Sequence, residues 1–413
     1  MIYIGNNEIS NIYIGTDKIY GIYVGDLQIY PTDIILTAIS LENLVWVTNI
    51  PASGGTATKE NCTYSVIAYY SDGTTVDVTS EATITGSQVI PSTDIEEVHS
   101  AGTLTLTASY SGFTATGNVT VYQEAAVPDF STKPLTFNIL SVGTINWTAS
   151  DKYFRRTIDY KLNNGAWTSI TSYTGSSAPT ITVKVGDKIQ FRGNNEQYAS
   201  SPSKYNSFGG STAEFEVEGN IMSLINSTDF GTLTALSSDY TFDFLFNDCT
   251  GLISAENLVL PATKLTENCY RCMFQNCSSL TTAPKELPAT TLKNYCYSNM
   301  FQGCTKLITA PELPARTLAD DCYNNMFRDC KSLATAPALP ATTLATWCYN
   351  YMFYGCTSLN YIKCLATDIS AYNCTNNWVG NVAATGTFVK ASSMTSWTTG
   401  KKGIPKGWTV QNA

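Results

Sequence analysis

The longest regular pattern of apolar residues begins near Phe246 and ends at about Cys374. A Met-Phe pair recurs at intervals of 27, 26 and 26 residues, at Met273-Phe274, Met300-Phe301, Met326-Phe327 and Met352-Phe353. Cysteines and Leu-Pro-Ala triplets recur at the same offsets. A fixed period of this length predicts one structural unit stacked several times, because each unit buries its apolar side only against its neighbours.

Each repeat is predicted to contain one helix and one short strand. In residues 288–303, three apolar residues lie four apart: Leu292, Cys296 and Met300. That spacing gives an apolar stripe on a helix of roughly three turns. Stretches such as Leu280-Thr-Thr-Ala-Pro place β-branched residues before a proline, which predicts a short strand. We therefore expect strands on one surface of the stack and helices on the other.

The repeat motif also resembles a known family. Its order is Phe-x-x-Cys-x-x-Leu, then Leu-Pro, then Cys-Tyr-x-x-Met-Phe, over about 130 residues in four copies with half-copies at the ends. This order is similar to the BspA-like leucine-rich repeats of gut bacterial surface proteins and of tailed phages that infect those bacteria. The resemblance implies an adhesive protein, and it supplies no catalytic residues.

Residues 1–31 contain a shorter repeat, with a period of ten: Ile2-Tyr-Ile-Gly, Ile12-Tyr-Ile-Gly and Ile22-Tyr-Val-Gly. Apolar residues around a glycine-centred turn predict three small β-hairpins or a short β-wrapped segment. So few residues bury too little surface to be stable alone and need a partner. The decapeptides resemble N-terminal segments of phage appendage proteins, which implies an anchoring segment; packing on the following domain is the alternative.

Two β-sandwich domains are predicted to follow, at residues 32–124 and 125–221. In the first, alternating residues from Tyr64 to Tyr70 precede an Asp-Gly turn, and no helical period is present. Its segment Tyr70-Ser-Asp-Gly-Thr resembles bacterial immunoglobulin-like domains, which implies a spacer. Four aromatic residues of the second domain present rings of the kind that stack on sugars: Trp147, Tyr153, Trp167 and Tyr173. Alternating tryptophans more often belong to a core.

The remainder is predicted to be a leucine-rich-repeat solenoid at residues 222–376 and a C-terminal cap at residues 377–413. Three tryptophans near the end are expected to cover the last repeat: Trp378, Trp397 and Trp408. Trp347 and Tyr351 lie off the repeated apolar stripe and either bind a ligand or pack on the cap, which we favour. The fold class is thus multidomain and mainly β, with hairpin repeats, two Ig-like sandwiches and a solenoid.

Length and charge limit the function classes. The 413 residues suggest about three domains, and a net charge of -9 without a concentrated basic face argues against nucleic-acid binding. The sequence has no run of 18 apolar residues that would predict a membrane span. The N-terminal residues lack the basic and apolar regions of a secretory signal, so we expect the chain to remain in the cytosol that makes it.

Twelve of the thirteen cysteines lie in residues 249–374, mostly in two columns of the repeat. On a helix, Cys296 and Cys304 would be about 12 Å apart. Equivalent positions of packed helices are roughly 8–10 Å apart. Both distances exceed the roughly 7 Å limit between Cα atoms for a disulfide. We therefore predict free, buried thiols that fill a stacked core.

No catalytic, cofactor-binding or metal-ligating residue is predicted. Cys269, Cys272 and Cys277 resemble half of a metal site, but no second Cys-x-x-Cys and no histidine accompany them, so an extra free thiol is favoured. The single histidine, His99, has no nucleophile turn beside it. The acidic pairs 96–97 and 320–321 are interpreted as solvated faces. Two distant acids brought together by folding would permit a glycosidase.

These features predict a non-enzymatic virion protein of a tailed phage, in a head or tail fibre or appendage, assembled in the host cytoplasm. Its partners would be other virion proteins, through residues 1–31, and a host-surface glycan or protein, through the repeats. A homotrimer is expected, and the analogy with phage fibres is the whole basis of that expectation. The alternatives are a bacterial cell-surface adhesin of the BspA-like type and a glycan-active enzyme.

Overall fold

The computed structural model describes the backbone of residues 2–4, 7–9, 13–14, 17–18, 23–24, 27–28, 34–48, 50–51, 54–90, 99–123 and 129–413. Within these ranges, side chains are described from residue 34 onward, except those of residues 99–101 and 122–123. The chain forms two compact units, Met1–Pro128 and Asp129–Ala413. The fold is mainly β. The described residues contain no α-helix and four short 3-10 turns, Lys59–Asn61, Gly175–Ser177, Ile221–Leu224 and Phe230–Thr232.

Three two-stranded antiparallel sheets lie in the first thirty residues. Their strands are β1 (Ile2–Ile4), β2 (Asn7–Ile9), β3 (Tyr13–Ile14), β4 (Asp17–Lys18), β5 (Tyr23–Val24) and β6 (Leu27–Gln28). The innermost pairs are Ile4 with Asn7, Ile14 with Asp17 and Val24 with Leu27. The ten-residue period is therefore the period of β-hairpins, which was one of the two predicted arrangements.

The described residues in the rest of the first unit form eight strands in three sheets. They are β7 (Leu36–Trp46), β8 (Gly55–Thr58), β9 (Cys62–Tyr70), β10 (Thr75–Asp77), β11 (Thr83–Thr85), β12 (Ser87–Ile90), β13 (His99–Tyr110) and β14 (Phe113–Gln123). The sheets have the orders β10-β9-β7, β11-β13-β14 and β12-β8. Val66, Ala68, Leu104 and Leu106 are buried in one core, as the alternation predicts. Residues 124–128 of the predicted linker and the acids 96–97 lie outside the described residues.

The second unit begins with a β module that extends directly into the repeats. Its strands are β15 (Leu135–Ile139), β16 (Gly143–Asn146), β17 (Thr148–Ala149), β18 (Thr157–Leu162), β19 (Thr168–Thr171), β20 (Thr180–Val183), β21 (Lys188–Arg192), β22 (Ala199–Ser201), β23 (Lys204–Ser207), β24 (Phe215–Asn220) and β25 (Leu252–Val259). A six-stranded sheet has the order β19-β18-β21-β15-β24-β25. Since β24 pairs in parallel with β25, the first repeat adds a strand to the sheet of the preceding module.

The predicted helix of each repeat is wrong. Every fourth residue has a positive φ, for example Tyr295 (57°), Asn299 (59°) and Gly303 (76°). An α-helix requires negative φ at each position, so these residues exclude it. Residues such as Cys296 and Met300 do lie on one face, but on a chain of consecutive turns.

Backbone amides of these turns alternate between two kinds of acceptor. The amide of Tyr297 donates to the Cys322 carbonyl of the next repeat at 3.0 Å. The amide of Ser298 donates to the Tyr295 carbonyl, three residues back, at 3.1 Å. Half of the donors therefore find their acceptors only when a neighbouring repeat is present, and stacking itself holds the conformation.

The predicted strand of each repeat is reduced to isolated parallel bridges in the middle of the stack. Thr282 bridges to Ser254 on one side and Thr309 on the other, and Thr335 bridges to Tyr361. The proline two residues after each threonine, such as Pro284, has no N–H and cannot continue the ladder. Regular strands return at β26 (Tyr361–Cys364), β27 (Thr387–Lys390) and β28 (Thr409–Asn412), which pair in parallel.

Candidate binding surface

Six stacked segments make up the turn side of the repeats, and we call their outward side chains the turn face. The segments are 240–249, 268–277, 295–304, 321–330, 347–356 and 373–381. Two inward positions alternate with two positions on the turn face along each segment, although neighbouring side chains bury some turn-face residues, such as Asp243, Cys272 and Asn350. In the fourth segment Cys322 and Tyr323 are buried, Asn324 and Asn325 are part exposed, and Met326 and Phe327 are buried again. The turn face is therefore a two-dimensional array, with one row of outward positions per repeat.

Aromatic columns inside the stack keep the rows in register. The phenylalanine rings stack at centroid distances of 5.3–5.7 Å along Phe246, Phe274, Phe301, Phe327 and Phe353. A second column consists of Phe242, Tyr270, Tyr297, Tyr323 and Tyr349. Trp378 contacts the last ring of both columns and stacks on Trp397. Consecutive rows of the turn face are therefore separated by the distance between two stacked rings.

Side-chain amides dominate the outward positions. They belong to Asn247, Gln275, Asn276, Asn299, Gln302, Asn324, Asn325, Asn350, Asn376, Asn377 and Asn381. Several form a ladder between rows: Asn350 Nδ2 donates to Asn324 Oδ1 at 3.1 Å, and Asn376 Nδ2 donates to Asn350 Oδ1 at 3.0 Å. A primary amide has two N–H groups, so the part-exposed Asn376 keeps a second donor for a ligand, whereas Asn350 is buried.

Backbone conformation explains the choice of asparagine. The left-handed position is open to glycine, and among other residues asparagine and aspartate enter it most readily. The third such column contains two glycines, Gly303 and Gly355. A Cβ on Gly355 would lie 2.2 Å from Asp329 Oδ1 of the preceding segment. Glycine at this site therefore satisfies both the positive φ and the close approach of the next row.

The first left-handed column alternates between aromatic and short polar residues. Its members are Tyr240, Asn268, Tyr295, Asp321, Trp347 and Asn373. Tyr295 is 41% exposed, and Tyr240 and Trp347 are part exposed. Consecutive aromatic side chains in this column are therefore two repeats apart, with one short polar side chain between them.

A buried ion pair lies at the beginning of the turn face. Arg271 Nη2 donates to Asp243 Oδ2 at 2.6 Å, and the Asp243 side chain is fully buried. Burial raises the pKa of the Asp243 carboxyl to about 7, and the hydrogen bond from Arg271 opposes this shift. The same guanidinium lies 5.7 Å from the ring of Tyr240 and 5.2 Å from that of Phe244. The pair thereby holds two outward aromatic rings in place.

The cysteine columns are free and buried, which confirms that prediction. The Cys304 thiol donates to the Phe274 carbonyl at 3.0 Å, and three equivalent thiols make the same bond one repeat apart. Burial raises the pKa of Cys272 to about 12. Neutral thiols of this kind are poor metal ligands and poor nucleophiles. Among the described residues no group of three His, Cys, Asp or Glu side chains is arranged to hold a metal ion.

The four aromatic residues of the second module fall into two groups. Trp147 is buried, and its Nε1 donates to the Arg156 carbonyl at 2.9 Å, so the core interpretation is confirmed for it. The other three have exposed surface and a neighbouring cation: Trp167 under Arg192 at 4.2 Å, Tyr173 under Arg155 at 4.2 Å, and Tyr153 near Lys152 at 4.8 Å. Cations therefore compete with any sugar for these rings.

Trp347 and Tyr351 both contact the segment that follows. The Trp347 ring meets the Tyr372 ring edge-on at 5.6 Å, and the Tyr351 hydroxyl accepts from Asn377 Nδ2 at 3.0 Å. Both keep part of their surface exposed, and Tyr372 is 68% exposed. The predicted packing on the cap, residues 377–413, is thus present for Tyr351 through Asn377, whereas the ring contact of Trp347 is with Tyr372, before the cap, and both residues leave ring surface open on the turn face.

The acidic pair at 320–321 differs from the predicted solvated face. Asp320 is exposed, and its Oδ1 accepts from the Thr346 amide at 3.1 Å. Asp321 is buried, and its Oδ1 accepts from Asn324 Nδ2 at 2.6 Å. Burial raises the pKa of Asp321, and its hydrogen bonds oppose that shift. His99 begins β13, where it pairs with Gln123.

Two open depressions lie elsewhere on the second unit. One, of about 580 Å³, lies on the six-stranded sheet and contains three lysines, Lys133, Lys161 and Lys188, with Glu218. The other, of about 760 Å³, lies among the proline-bearing parts of the repeats and is lined by Ile308, Pro311 and Pro337 among others. Neither contains a converging pair of carboxylates in its lining.

Comparison with protein-family models, with curated proteins and with solved structures found no match to this chain. Within the described part of the chain, no helix is long and apolar enough to cross a membrane.

Sequence reasoning missed the turn face, although the chain contains a signal for it. In Cys-Tyr-Asn-Asn-Met-Phe-Arg-Asp-Cys, beginning at Cys322, two apolar residues alternate with two polar ones without drift. An amphipathic α-helix mixes spacings of three and four because its period is 3.6. A strict period of four over all copies therefore distinguishes consecutive turns from a helix.

Proposed function

We propose that this chain is a non-enzymatic structural protein of a tailed-phage virion, part of a head or tail fibre or appendage, that attaches to host-surface material. The observation that supports this best is the turn face. Six equivalent segments, joined by backbone hydrogen bonds, present a continuous array of amide and aromatic side chains. An array of this kind binds a partner along its length and needs no catalytic cavity.

In this proposal the modules have separate tasks. The sheets of residues 34–123 form a bacterial Ig-like sandwich and those of residues 129–220 a second sandwich, and both act as spacers. The repeats form a solenoid of leucine-rich-repeat type in which consecutive turns take the place of helices. Their parallel bridges on one side and turns on the other support this interpretation.

Residues 1–31 anchor the chain to other virion proteins. The described strands of this segment have two or three residues each, and isolated hairpins of that length are not stable in water. The hairpins therefore need a partner surface, and a particle supplies one. A fibre built in this way is a homotrimer in solution, which multi-angle light scattering of the full chain measures.

Particle incorporation tests the anchor. Phage lacking the gene for this protein are complemented with the full chain or with the chain from residue 32 onward, and purified particles are probed for the protein. We expect the full chain on particles and the shortened chain in the unbound fraction. Full occupancy by the shortened chain would refute the anchor.

Binding to cells tests the attachment role. Fluorescently labelled full chain is incubated with a panel of gut bacteria and measured by flow cytometry, with unrelated phage structural protein as the control. We expect saturable binding to a subset of strains. A bacterial cell-surface adhesin would use the same turn face, but it would be found in a bacterial envelope and not on particles.

A further inference from the structure

The first left-handed column of the turn face has a period of two repeats, whereas the repeat itself has a period of one. Tyr240, Tyr295 and Trp347 alternate with Asn268, Asp321 and Asn373. Neighbouring rings of the buried tyrosine column are 5.8 Å and 5.9 Å apart, so each aromatic residue of the outward column is two such steps from the next. Packing of identical repeats does not require a period of two repeats. A ligand whose own structural period equals the length of two repeats does require it.

We propose that this column binds an extended, neutral, β-1,4-linked polysaccharide whose chain runs along the stack. Successive sugars of such a chain are turned over relative to each other, so its structural period is a disaccharide, comparable in length to two repeats. One sugar stacks on each aromatic side chain. The sugar between Tyr240 and Tyr295 hydrogen-bonds to the part-exposed Asn268, and the sugar between Tyr295 and Trp347 to the part-exposed Asn324 beside the buried Asp321. This inference rests on the proposed attachment function and names the class of its ligand.

Ring orientation agrees with a ligand that follows the stack. Burial raises the pKa of Tyr295, and the Asp321 carboxylate of the next segment adds to this shift, so the tyrosine hydroxyl lies near the next member of the column. Trp347 is supported from the next row by the edge-on contact with Tyr372. Aromatic residues held at a fixed angle present the flat faces that the C–H groups of a sugar ring contact.

The neighbouring amides supply the polar half of the site. Asn324, Asn350 and Asn376 form the ladder beside the column. Asn350 is buried, whereas the part-exposed Asn324 and Asn376 each use one side-chain N–H group in a hydrogen bond and have a second N–H group for a ligand. Side-chain amides both donate and accept, which matches sugar hydroxyls. The ladder fixes their orientation before a ligand binds, so less side-chain entropy is lost on binding.

Charge favours a neutral sugar chain. Three exposed acids directly precede members of the column in the chain: Asp239, Glu267 and Asp320. The nearby cations Arg271 and Arg328 already contact a carboxylate and two aromatic rings each. A sulfated or uronic-acid polymer would meet uncompensated negative charge here, whereas a neutral or N-acetylated chain would not.

Calorimetric titration of the full chain with oligosaccharides tests the site. The probes are cellohexaose, mannohexaose and chitohexaose, their trisaccharides, an α-1,6-linked glucose hexamer and a glucuronic-acid-containing hexasaccharide. We expect at least one neutral β-1,4 hexasaccharide to bind, to bind more tightly than its trisaccharide, and to change Trp347 fluorescence. We expect the α-1,6 and acidic hexamers not to bind.

Variants locate the binding to the column. Tyr295→Ala and Trp347→Ala should each weaken hexasaccharide binding by roughly ten-fold, the effect of losing about 1.4 kcal/mol of ring contact. Tyr295→Phe keeps the ring and should bind nearly as the parent does. Tyr153→Ala removes an 82% exposed ring elsewhere on the unit and is the matched control. Near-ultraviolet circular dichroism of each variant checks that the stack is intact.

Failure of this inference and failure of the attachment function give different results. Cell binding without binding of any neutral hexasaccharide, or cell binding that Tyr295→Ala and Trp347→Ala leave unchanged, overturns the sugar site and leaves the attachment function standing. No binding to any cell overturns the attachment function. Equal loss of affinity in Tyr153→Ala and Tyr295→Ala would also overturn the assignment to the column.

Discussion

The ring of Phe208 stacks on the ring of Phe246, with centroids 5.6 Å apart and an angle of 24° between the planes. Phe208 belongs to the β module and Phe246 to the first segment of the repeats. A second contact of this kind joins Tyr198 to Phe242 at 6.2 Å. The module therefore supplies the first ring of both aromatic columns and covers the apolar end of the stack, as a terminal cap does.

This relationship predicts that the module and the repeats unfold together. Phe208→Ala should lower the free energy of unfolding of unit 129–413 by about 3–5 kcal/mol, because it leaves a cavity between two parts of one core. Urea denaturation followed by near- and far-ultraviolet circular dichroism measures the loss and the number of transitions. Phe113→Ala, at a 36% exposed residue of the other unit, is the control. Loss of the module with the repeats unchanged would contradict the shared core.

Substitution at Asn325 distinguishes consecutive turns from a helix. Asn325 has a φ of 54°, so glycine should be tolerated there and alanine should be less stable than glycine by about 1 kcal/mol. In a helix the order would be reversed by a similar amount, because alanine is the better helix former. Chemical denaturation of Asn325→Gly and Asn325→Ala, side by side, measures the sign of the difference.

The thirteen cysteines should be unreactive in the folded chain. All are free and buried, and burial raises the pKa of residues such as Cys269 and Cys322 to about 12. A thiol reagent such as dithionitrobenzoate should therefore react slowly with native protein and rapidly with all thirteen thiols in urea. Fewer reactive thiols in urea without reductant would indicate disulfides, and rapid reaction of the native protein would contradict the buried columns.

Asp243 should make the stability of the second unit depend on pH. Its pKa is about 7 in the folded chain and about 4 in an unfolded one, so between these values the folded state binds the extra proton. This contribution is complete below pH of about 4 and is lost as pH rises through about 7, by at most about 1.4 kcal/mol per pH unit. The free energy of unfolding should therefore fall over this range in the parent relative to Asp243→Asn. Equal pH profiles would contradict the raised pKa.

The inward positions of the repeats were predictable, whereas the identity of the turn face was not. The period and the buried residues follow from the apolar pattern, as Met300 and Phe301 show by being fully buried. The helix was wrong because a spacing of four between Cys296 and Met300 fits both a helix and a series of turns. The alternation of aromatic residues in the outward column was visible in the sequence, but its meaning depends on which positions face outward.

The sequence by itself determined the repeat period, the buried cysteine columns and the mainly β class, and it predicted β-hairpins as one of two arrangements for residues 1–31. These follow from local turn chemistry and from apolar residues that must be buried in any compact fold. Only the tertiary structure decided the backbone of the repeats, because the amide of Tyr297 finds its acceptor on Cys322 of the next repeat. This donor and its acceptor belong to different repeats, so the bond stabilises the left-handed turns only in the assembled stack. No local preference of the sequence encodes that bond.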